Sequence, residues 1–337
     1  MPFSWDTDKR TIVCVGSALV DMLAKEDDAF LAAAGAAKGG MTLVEQEFID
    51  DLVSRTSAPP WVVSGGSACN TAVGVGRLGG ASRFVGKRGD DHLGDIFEAD
   101  LVKQGVAPFL ITVPAPTGRV LSVITPDAQR TMFTYLGAAE LMGPEGITPA
   151  CFKNEAIVHV EGYLLFNRDL MMSVLEAAKA SGAKISLDLA SFTVVEAAKD
   201  ILDRISHDYI DILIANEDEA LAFTGEKDEA RSLQMLSEKA SVAVLKIGPR
   251  GSMIAGFDEI AQIERLGDGI AVDTTGAGDL WAAGFLFGLV NGYPLAGAGA
   301  LGSACGYEVC QLVGAKIEDQ GWERIRRLMA REEKTNI

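Results

Sequence analysis

Short apolar, β-branched runs recur along the chain and alternate with longer stretches whose apolar positions return every three to four residues. The first pattern predicts buried strands and the second amphipathic helices. Strands are predicted over Thr11–Val15, Ser82–Val85, Ala156–Val160, Lys184–Leu187, Asp211–Ala215 and Val242–Ile247. Helices are predicted over Phe97–Gln104, Leu170–Ser181, Asp228–Ala240, Ala277–Asn291 and Pro294–Leu312. This alternation is that of an α/β domain with a central, mostly parallel sheet flanked by helices. Sheets of that kind bind ligands beyond the carboxyl ends of their strands.

Two stretches break the alternation: Asp21 to about Leu43, and Ala107–Tyr135, where Phe109–Val113, Val120–Thr125 and Thr131–Tyr135 read as strands without intervening helices. Strands joined by turns make an antiparallel sheet. The expectation is one domain over residues 1–337 with a small antiparallel β lid inserted at about 21–43 and 107–136. An ordinary surface hairpin is the alternative.

Composition narrows the partners. A chain of 337 residues, 48% hydrophobic and 23% charged, is globular material. Its net charge of −17 and pI near 4.6 argue against nucleic-acid or anionic-membrane partners, which demand a concentrated basic face. A phosphate ligand must therefore be held locally, by amides, a few cations and a metal. Met1–Asp8 shows no basic segment followed by an apolar one, and the apolar run from about Ala277 to Val290 is too short to span a bilayer, so a cytoplasmic protein is expected. Five cysteines (Cys14, Cys69, Cys151, Cys305, Cys310) lack paired metal spacing, and with three histidines they read as buried thiols, not a zinc site.

The most informative motif is Asp273-Thr274-Thr275-Gly276-Ala277-Gly278-Asp279, followed at once by the apolar run from Leu280. Small residues at 276–278 let a ligand reach the backbone, and the helix beginning there aims free N–H groups and a positive dipole end at it. Asp279, in the first turn, can take a proton from a hydroxyl while the amides stabilise charge on a transferring phosphoryl group. Read locally, the same residues are also an N-cap and a tight turn.

A second segment, Ser64-Gly65-Gly66-Ser67-Ala68-Cys69-Asn70, follows an apolar run and opens a helix. Gly65 and Gly66 allow close backbone approach, and Asn70 offers both a donor and an acceptor, which suits a vicinal diol. Its continuation, Gly79 to Gly94, ends a strand in a turn carrying Gly89, Asp90 and Gly94. The rival pattern Gly74-Val75-Gly76-Arg77-Leu78-Gly79 fits G-x-G-x-x-G but continues a helix, where a dinucleotide fingerprint belongs at a strand-to-helix turn. No Walker pattern is present.

The heptapeptide 273–279 resembles the second signature of the ribokinase-like (PfkB) family of small-molecule kinases, and the segment 64–94 resembles the first. The resemblance runs from Val15 to about Lys316. It implies ATP-dependent phosphorylation of a primary hydroxyl on a small sugar or nucleoside, with Asp279 as base and Gly276, Ala277 and Gly278 as the anion hole. Asp21, Gly65, Gly66 and Asn70 would hold the substrate. Asn216-Glu217-Asp218-Glu219 resembles the family's Asn-x-x-Glu motif, which places Asn216 and Glu219 near a hydrated Mg²⁺; alone it reads equally as a helix cap. Lys246-Ile247-Gly248-Pro249-Arg250-Gly251 resembles the nucleotide-side turn, with Lys246, Gly248, Gly251, Asn216 and also Gly278 toward ATP, although a plain tight turn fits residues 246–251 as well. Asp273 and Thr275 match positions near which many family members hold K⁺.

Softer matches, Gly40–Leu43, His159–Tyr163 and Arg130–Ala139, resemble the adenosine-kinase-like branch. They favour a ribonucleoside over the runner-up, a free sugar, with Phe133 and Tyr135 as residues that stack on a base or only pack the sheet. A noncatalytic nucleoside- or sugar-binding protein is the reading from another class. An exposed apolar face on the lid would favour a homodimer.

Overall fold

A computed structural model describes residues 9–36, 38–127, 129–267 and 270–335; Met1–Asp8, on which the reading about secretion rests, lies outside the described residues. From the N-terminal side, β1 (Ile12–Val15) leads into β2 (Leu19–Lys25), then α1 (Asp28–Ala33), β3 (Met41–Leu43), α2 (Gln46–Ser54) and β4 (Trp61–Gly65). Next come α3 (Ser67–Arg77), β5 (Ser82–Gly89), α4 (His92–Lys103), β6 (Val106–Val113), β7 (Gly118–Ile124) and β8 (Arg130–Tyr135). Strand and helix then alternate through β9 (Ile157–Glu161), α5 (Arg168–Ser181), β10 (Lys184–Asp188), α6 (Phe192–Tyr209), β11 (Ile212–Asn216), α7 (Glu217–Thr224), α8 (Glu229–Ser237) and β12 (Val242–Lys246). The chain closes with β13 (Ser252–Gly256), β14 (Glu259–Ile263), α9 (Ala277–Val290), α10 (Leu295–Val309) and α11 (Asp319–Thr335).

The large sheet has the order β14-β13-β12-β11-β10-β9-β1-β5-β6. Its strands are parallel from β12 to β6, and β13 and β14 are antiparallel additions. Both faces are covered, which is why its strands are apolar at consecutive positions rather than alternate ones. Ile12 and Cys14 of β1 join the core under α3, α4, α9 and α10, whereas Val13 and Val15 join the core under α5, α6 and α8. Full burial of each such aliphatic side chain contributes about 1.5–3 kcal/mol.

Helix α9 is apolar all round because it is enclosed: every residue from Leu280 to Val290 is buried. Glycines make the enclosure possible. A Cβ on Gly74 of α3 would lie 2.5 Å from Ala283 Cβ, and one on Gly76 would lie 2.7 Å from the Gln104 carbonyl. The G-x-G-x-x-G pattern is thus a packing surface on α3.

A smaller sheet, β3-β8-β7-β2-β4, stands beside the large one. Three expectations about it are corrected. Phe109–Val113 belongs to β6, which pairs in parallel with β5 at the edge of the large sheet. Helix α4 and the Gly105 turn (φ +81°) make β5-α4-β6 a crossover unit, so the sequence from Ala107 is not yet the insertion. The sheet also begins at Leu19 and recruits Trp61–Gly65. Finally, it is mixed, not purely antiparallel: β2–β7 and β3–β8 are parallel, β2–β4 and β7–β8 antiparallel.

Strand periodicity divides the two faces of this sheet. Met22, Ala24, Leu121, Val123 and Phe133 pack with Leu31 of α1 and Ile49 and Leu52 of α2. This apolar face of the sheet is covered by the chain itself. Phe133 lies on it, its ring 5.6 Å from that of Phe48, and Tyr135 packs there too, so neither is placed to stack on a ligand over the opposite face.

Candidate active site

The chain proceeds from β1 to β5 and β6 on one side, then crosses to β9 through β12 on the other. The connections after β1 and β9 therefore diverge, and a crevice opens at their carboxyl ends. Glu161, ending β9, is buried there and accepts hydrogen bonds from Ser17 N (2.8 Å) and Ala68 N (3.0 Å). Burial pushes its carboxyl up to about 6 despite those bonds. A Cβ at Gly16 would lie 2.3 Å from Glu161 Oε2, so only glycine admits this carboxylate.

Asp21 and the glycine pair meet in the same crevice. A Cβ on Gly65 would lie 2.4 Å from Asp21 Cγ, and one on Gly66, whose φ is +98°, would lie 2.5 Å from the Ser17 carbonyl. Burial raises the Asp21 carboxyl to about 6; Arg130 of β8 opposes the shift and Asp279 adds to it.

Gly276 adopts the left-handed conformation (φ +71°) that turns the chain into α9. Ala277 N donates back to the Thr274 carbonyl at 3.1 Å. Among the described residues, the N–H groups of Gly276, Gly278 and Asp279 have no protein acceptor. Two of the three amides expected at the anion hole are thus open, while that of Ala277 is engaged in the turn. Asp279 Oδ1 accepts from Ser67 Oγ at 2.7 Å and Oδ2 from Asn70 Nδ2 at 2.9 Å. Burial raises this carboxyl, and the two hydrogen bonds hold it down in part. A carboxylate has about four lone-pair positions; the two donors leave room for an incoming hydroxyl.

Asp188, Asn216 and Lys246 end adjacent parallel strands. Lys246 Nζ donates to Asp188 Oδ2 at 2.8 Å, and it lies 3.0 Å from where a Cβ on Gly278 would sit. The ammonium is therefore seated against the first turn of α9. Burial alone would lower the Lys246 pKa, but Asp188 and then Glu219 outweigh it and raise it. Asn216 and Glu219 form a reciprocal capping box at α7, with Asn216 N and Nδ2 donating to the two Glu219 oxygens at 2.8 and 2.7 Å. Glu219 is pushed up to about 7 by burial, with Lys246 lowering it and Asp188 raising it.

The turn after β12 divides the roles of its glycines. Gly251 (φ +103°) has space for no Cβ, since one would lie 2.0 Å from the Ile263 carbonyl, whereas around Gly248 (φ +53°) the nearest atom to such a Cβ is 3.7 Å away. Asp273 Oδ1 accepts from Thr275 N and Oγ1 at 2.9 and 2.7 Å, and Oδ2 accepts from Gly314 N at 2.8 Å. Burial raises its carboxyl, but these bonds outweigh that and the pKa is lowered. Four of the five cysteines are buried and Cys310 is partly exposed, and all five thiols are free.

Sequence reasoning passed over Ser67, Asp188 and Glu161. Ser67 was legible from its spacing, since positions 67 and 70 share a helix face. Asp188 and Glu161 stand level across paired strands, a relation that appears only when β9 and β10 are set side by side.

A kinase of small alcohols is the class that this fold and crevice define: an acid beside an open helix N-terminus, a buried ammonium against the same turn, and a second carboxylate across the glycine loop. The comparisons agree. The pfkB family carbohydrate kinase domain matches residues 9–320, and the chain belongs to that family. An adenosine kinase from Schizophyllum commune is 27% identical over 315 residues, covering 84% of this chain and 90% of the relative. A fructokinase from Klebsiella pneumoniae is 30% identical over 262 residues, covering 72% and 84%. The solved structure of an adenosine kinase from Sinorhizobium meliloti superposes with a TM-score of 0.85 at 33% identity, covering 95% of this chain and 99% of that one. For a probable sugar kinase from Rhizobium etli CFN 42 the TM-score is 0.86 at 31% identity, covering 95% and 98%. The protein is thus a phosphotransferase acting on the alcohol group of a sugar or nucleoside.

Proposed function

We propose that the protein transfers the γ-phosphoryl group of ATP to the primary hydroxyl of a ribonucleoside of the adenosine type. The acceptor lies against Asp21, Gly65, Gly66 and Asn70, and gives its proton to Asp279 as its oxygen attacks phosphorus in line. The amides of Gly276 and Gly278 receive the charge that develops on the phosphoryl oxygens, and Lys246, steadied by Asp188, adds a fixed positive charge on the same side. Gly248 leaves backbone open toward ATP, while Gly251 serves the turn. The observation that carries this reading is the double anchorage of Asp279 by Ser67 and Asn70, which joins the acid to the glycine loop.

The preference for a nucleoside rests on the Asp21 face of the small sheet. By strand register, Met41, Leu43, Trp61, Val63 and Met132 share that face with Asp21. Leu43 and Trp61 are 62% and 72% exposed. A free sugar is ringed by hydroxyls and gains little there; a purine base offers an apolar plane to cover them.

The donor set around Asn216 and Glu219 fits Mg²⁺ met through water. Each Glu219 oxygen already takes a hydrogen bond from Asn216 and keeps a further lone pair, and Asp188 and Asp218 add negative charge nearby that Lys246 opposes. Bound Mg²⁺ supplies charge neutralisation at the phosphates. At the positions matched to K⁺, Asp273 Oδ1 takes both Thr275 donors, while Oδ2 takes one, from Gly314 N, and keeps a further lone pair. Equal rates in K⁺ and in a bulky organic cation would remove K⁺ from the scheme. Five free thiols support a reducing, cytoplasmic setting.

The test is ADP release from Mg-ATP against a panel of ribonucleosides and free sugars. A higher kcat/KM for adenosine than for ribose or fructose is expected; release with free sugars alone would overturn the nucleoside assignment.

A further inference from the structure

Asp100, on α4, belongs to none of the groups described above, yet it joins two of them. Its Oδ2 accepts from Ser64 Oγ at 2.6 Å, from Ser64 N at 3.2 Å and from Lys316 Nζ at 2.8 Å, while Oδ1 accepts from Gln104 Nε2 at 3.2 Å. The carboxylate is largely buried and Lys316 is partly exposed. Burial would raise the Asp100 carboxyl, but hydrogen bonds from Lys316 and Ser64 outweigh it and bring it down to about 2, so the group is ionised throughout the working range.

The two partners lead in opposite directions. Ser64 lies on β4 of the small sheet, directly before Gly65 and Gly66, and the next helix carries Ser67 and Asn70, which hold Asp279. Lys316 lies just beyond Gly314 and Ala315. Gly314 donates to Asp273 at the start of the anion-hole turn, and a Cβ on Gly276 would lie 2.6 Å from Ala315 Cβ. Gly314 also borders β2, since a Cβ there would come within 3.4 Å of Leu23 Cδ1. The acceptor loop thus adjoins a residue bonded to Asp100, and the phosphate turn is packed on Gly314 and Ala315, the two residues before Lys316, which is bonded to the same carboxylate.

We infer that Asp100 is a positioning residue for phosphoryl transfer, clamping Ser64 and Lys316 so that the acceptor loop and the anion-hole turn keep a fixed separation. In-line transfer needs the reacting atoms about 3–3.5 Å apart, and a misplacement of about 1 Å costs on the order of a hundredfold. A charge-assisted clamp resists such drift better than neutral hydrogen bonds, which are about half as strong. The inference rests on the roles given to Asp279 and to the turn at 276–278.

The experiment compares Asp100→Asn, Lys316→Met and the double variant. Asp100→Asn keeps an oxygen for Ser64 but loses the ionic half of the clamp, and Lys316→Met keeps the aliphatic stem. Each single variant is expected to lose about tenfold in kcat, with little change in the KM for ATP, a loss well inside the range that misalignment produces. The double variant is expected to be no worse than either single one, because both remove the same interaction. Acceptor-independent ADP release should persist, so the ratio of coupled to uncoupled turnover falls. Multiplicative losses in the double variant, or a lowered melting temperature with kcat unchanged, would overturn the inference. If Asp100→Asn does not fold, Lys316→Met decides the matter alone through the coupling ratio. Asp279→Asn, assayed in parallel, separates the two failures: full activity there removes the underlying mechanism, whereas its inactivity with unaffected clamp variants removes only the clamp.

Discussion

Asn70 Nδ2 donates to Asp279 Oδ2 at 2.9 Å, so a residue of the glycine loop and the acid at the start of α9 form one unit. Ser67 completes it on the other carboxylate oxygen. If this unit delivers the base, Asp279→Asn lowers kcat by roughly two orders of magnitude or more, the scale of a lost general base, while the KM for ATP stays within a small factor. Ser67→Ala acts more subtly. Its hydroxyl favours the charged carboxylate, so its removal raises the Asp279 pKa further and moves the acid limb of the kcat/KM profile to higher pH. An unmoved limb in Ser67→Ala would separate Asp279 from the titration that controls the rate.

The Lys246–Asp188 pair sets the phosphate side. Lys246→Met removes the ammonium and keeps most of the stem, and an increase of about tenfold in the KM for ATP is expected, the loss of roughly one charge-assisted contact. The acceptor KM should change far less. Because a buried carboxylate is left without its partner, the variant also loses stability, by about 3–5 kcal/mol where burial is complete. Steady-state kinetics are therefore to be read well below the melting temperature, and an unchanged KM for ATP there would exclude contact between Lys246 and the phosphates.

Asp21 makes a prediction about stability without any ligand. The folded protein holds its proton up to about pH 6, whereas an ordinary aspartate releases it near 3.8. Between those values the native state binds more protons than the unfolded state, so this group's contribution to stability falls as pH rises across the window and is constant above it. Asp21→Asn removes the effect. Urea unfolding of both proteins at several pH values should show the variant gaining on the wild type as pH rises from about 4 to about 6; parallel curves would mean that Asp21 titrates normally.

Much of the fold was legible because both faces of the large sheet are buried. Residues such as Ile212–Ala215 and Val242–Leu245 are apolar at every position, and such runs followed by helical periods mark a parallel sheet without further information. The small sheet was harder. β6 varies between partly buried and exposed positions and β8 between fully and partly buried ones, and nothing local says that Val106–Val113 pairs with β5. Phe133 and Tyr135 were equally ambiguous, since the side of a strand that faces a ligand depends on where α1 and α2 lie. At the site, Asp279, Gly276 and Asn70 were carried by contiguous motifs. Asp100, Asp188 and Glu161 were not, because an acid at a strand end or on a helix is ordinary until its partners arrive from distant segments.

Two glycines with the same backbone sign separate strain from site geometry. Gly276 (φ +71°) and Gly79 (φ +89°) both occupy the left-handed region, but a Cβ on Gly276 would meet Ala315 Cβ at 2.6 Å while one on Gly79 would meet nothing within 4 Å. An alanine at either position carries the backbone penalty of about 1–2 kcal/mol. At Gly79 that should be the whole effect: a lower unfolding free energy with kcat unchanged. At Gly276 the methyl must also push Ala315 or tilt the start of α9, moving the open amides of Gly276 and Gly278 relative to Asp279. Oxyanion donors act only at close range, and losing one costs about a hundredfold or more. Gly276→Ala should therefore lower kcat by at least about tenfold on top of its loss of stability. Paired urea melts and turnover measurements on the two variants check this, and equal kcat values for both would show that the turn at 276 shapes the fold without shaping the reaction.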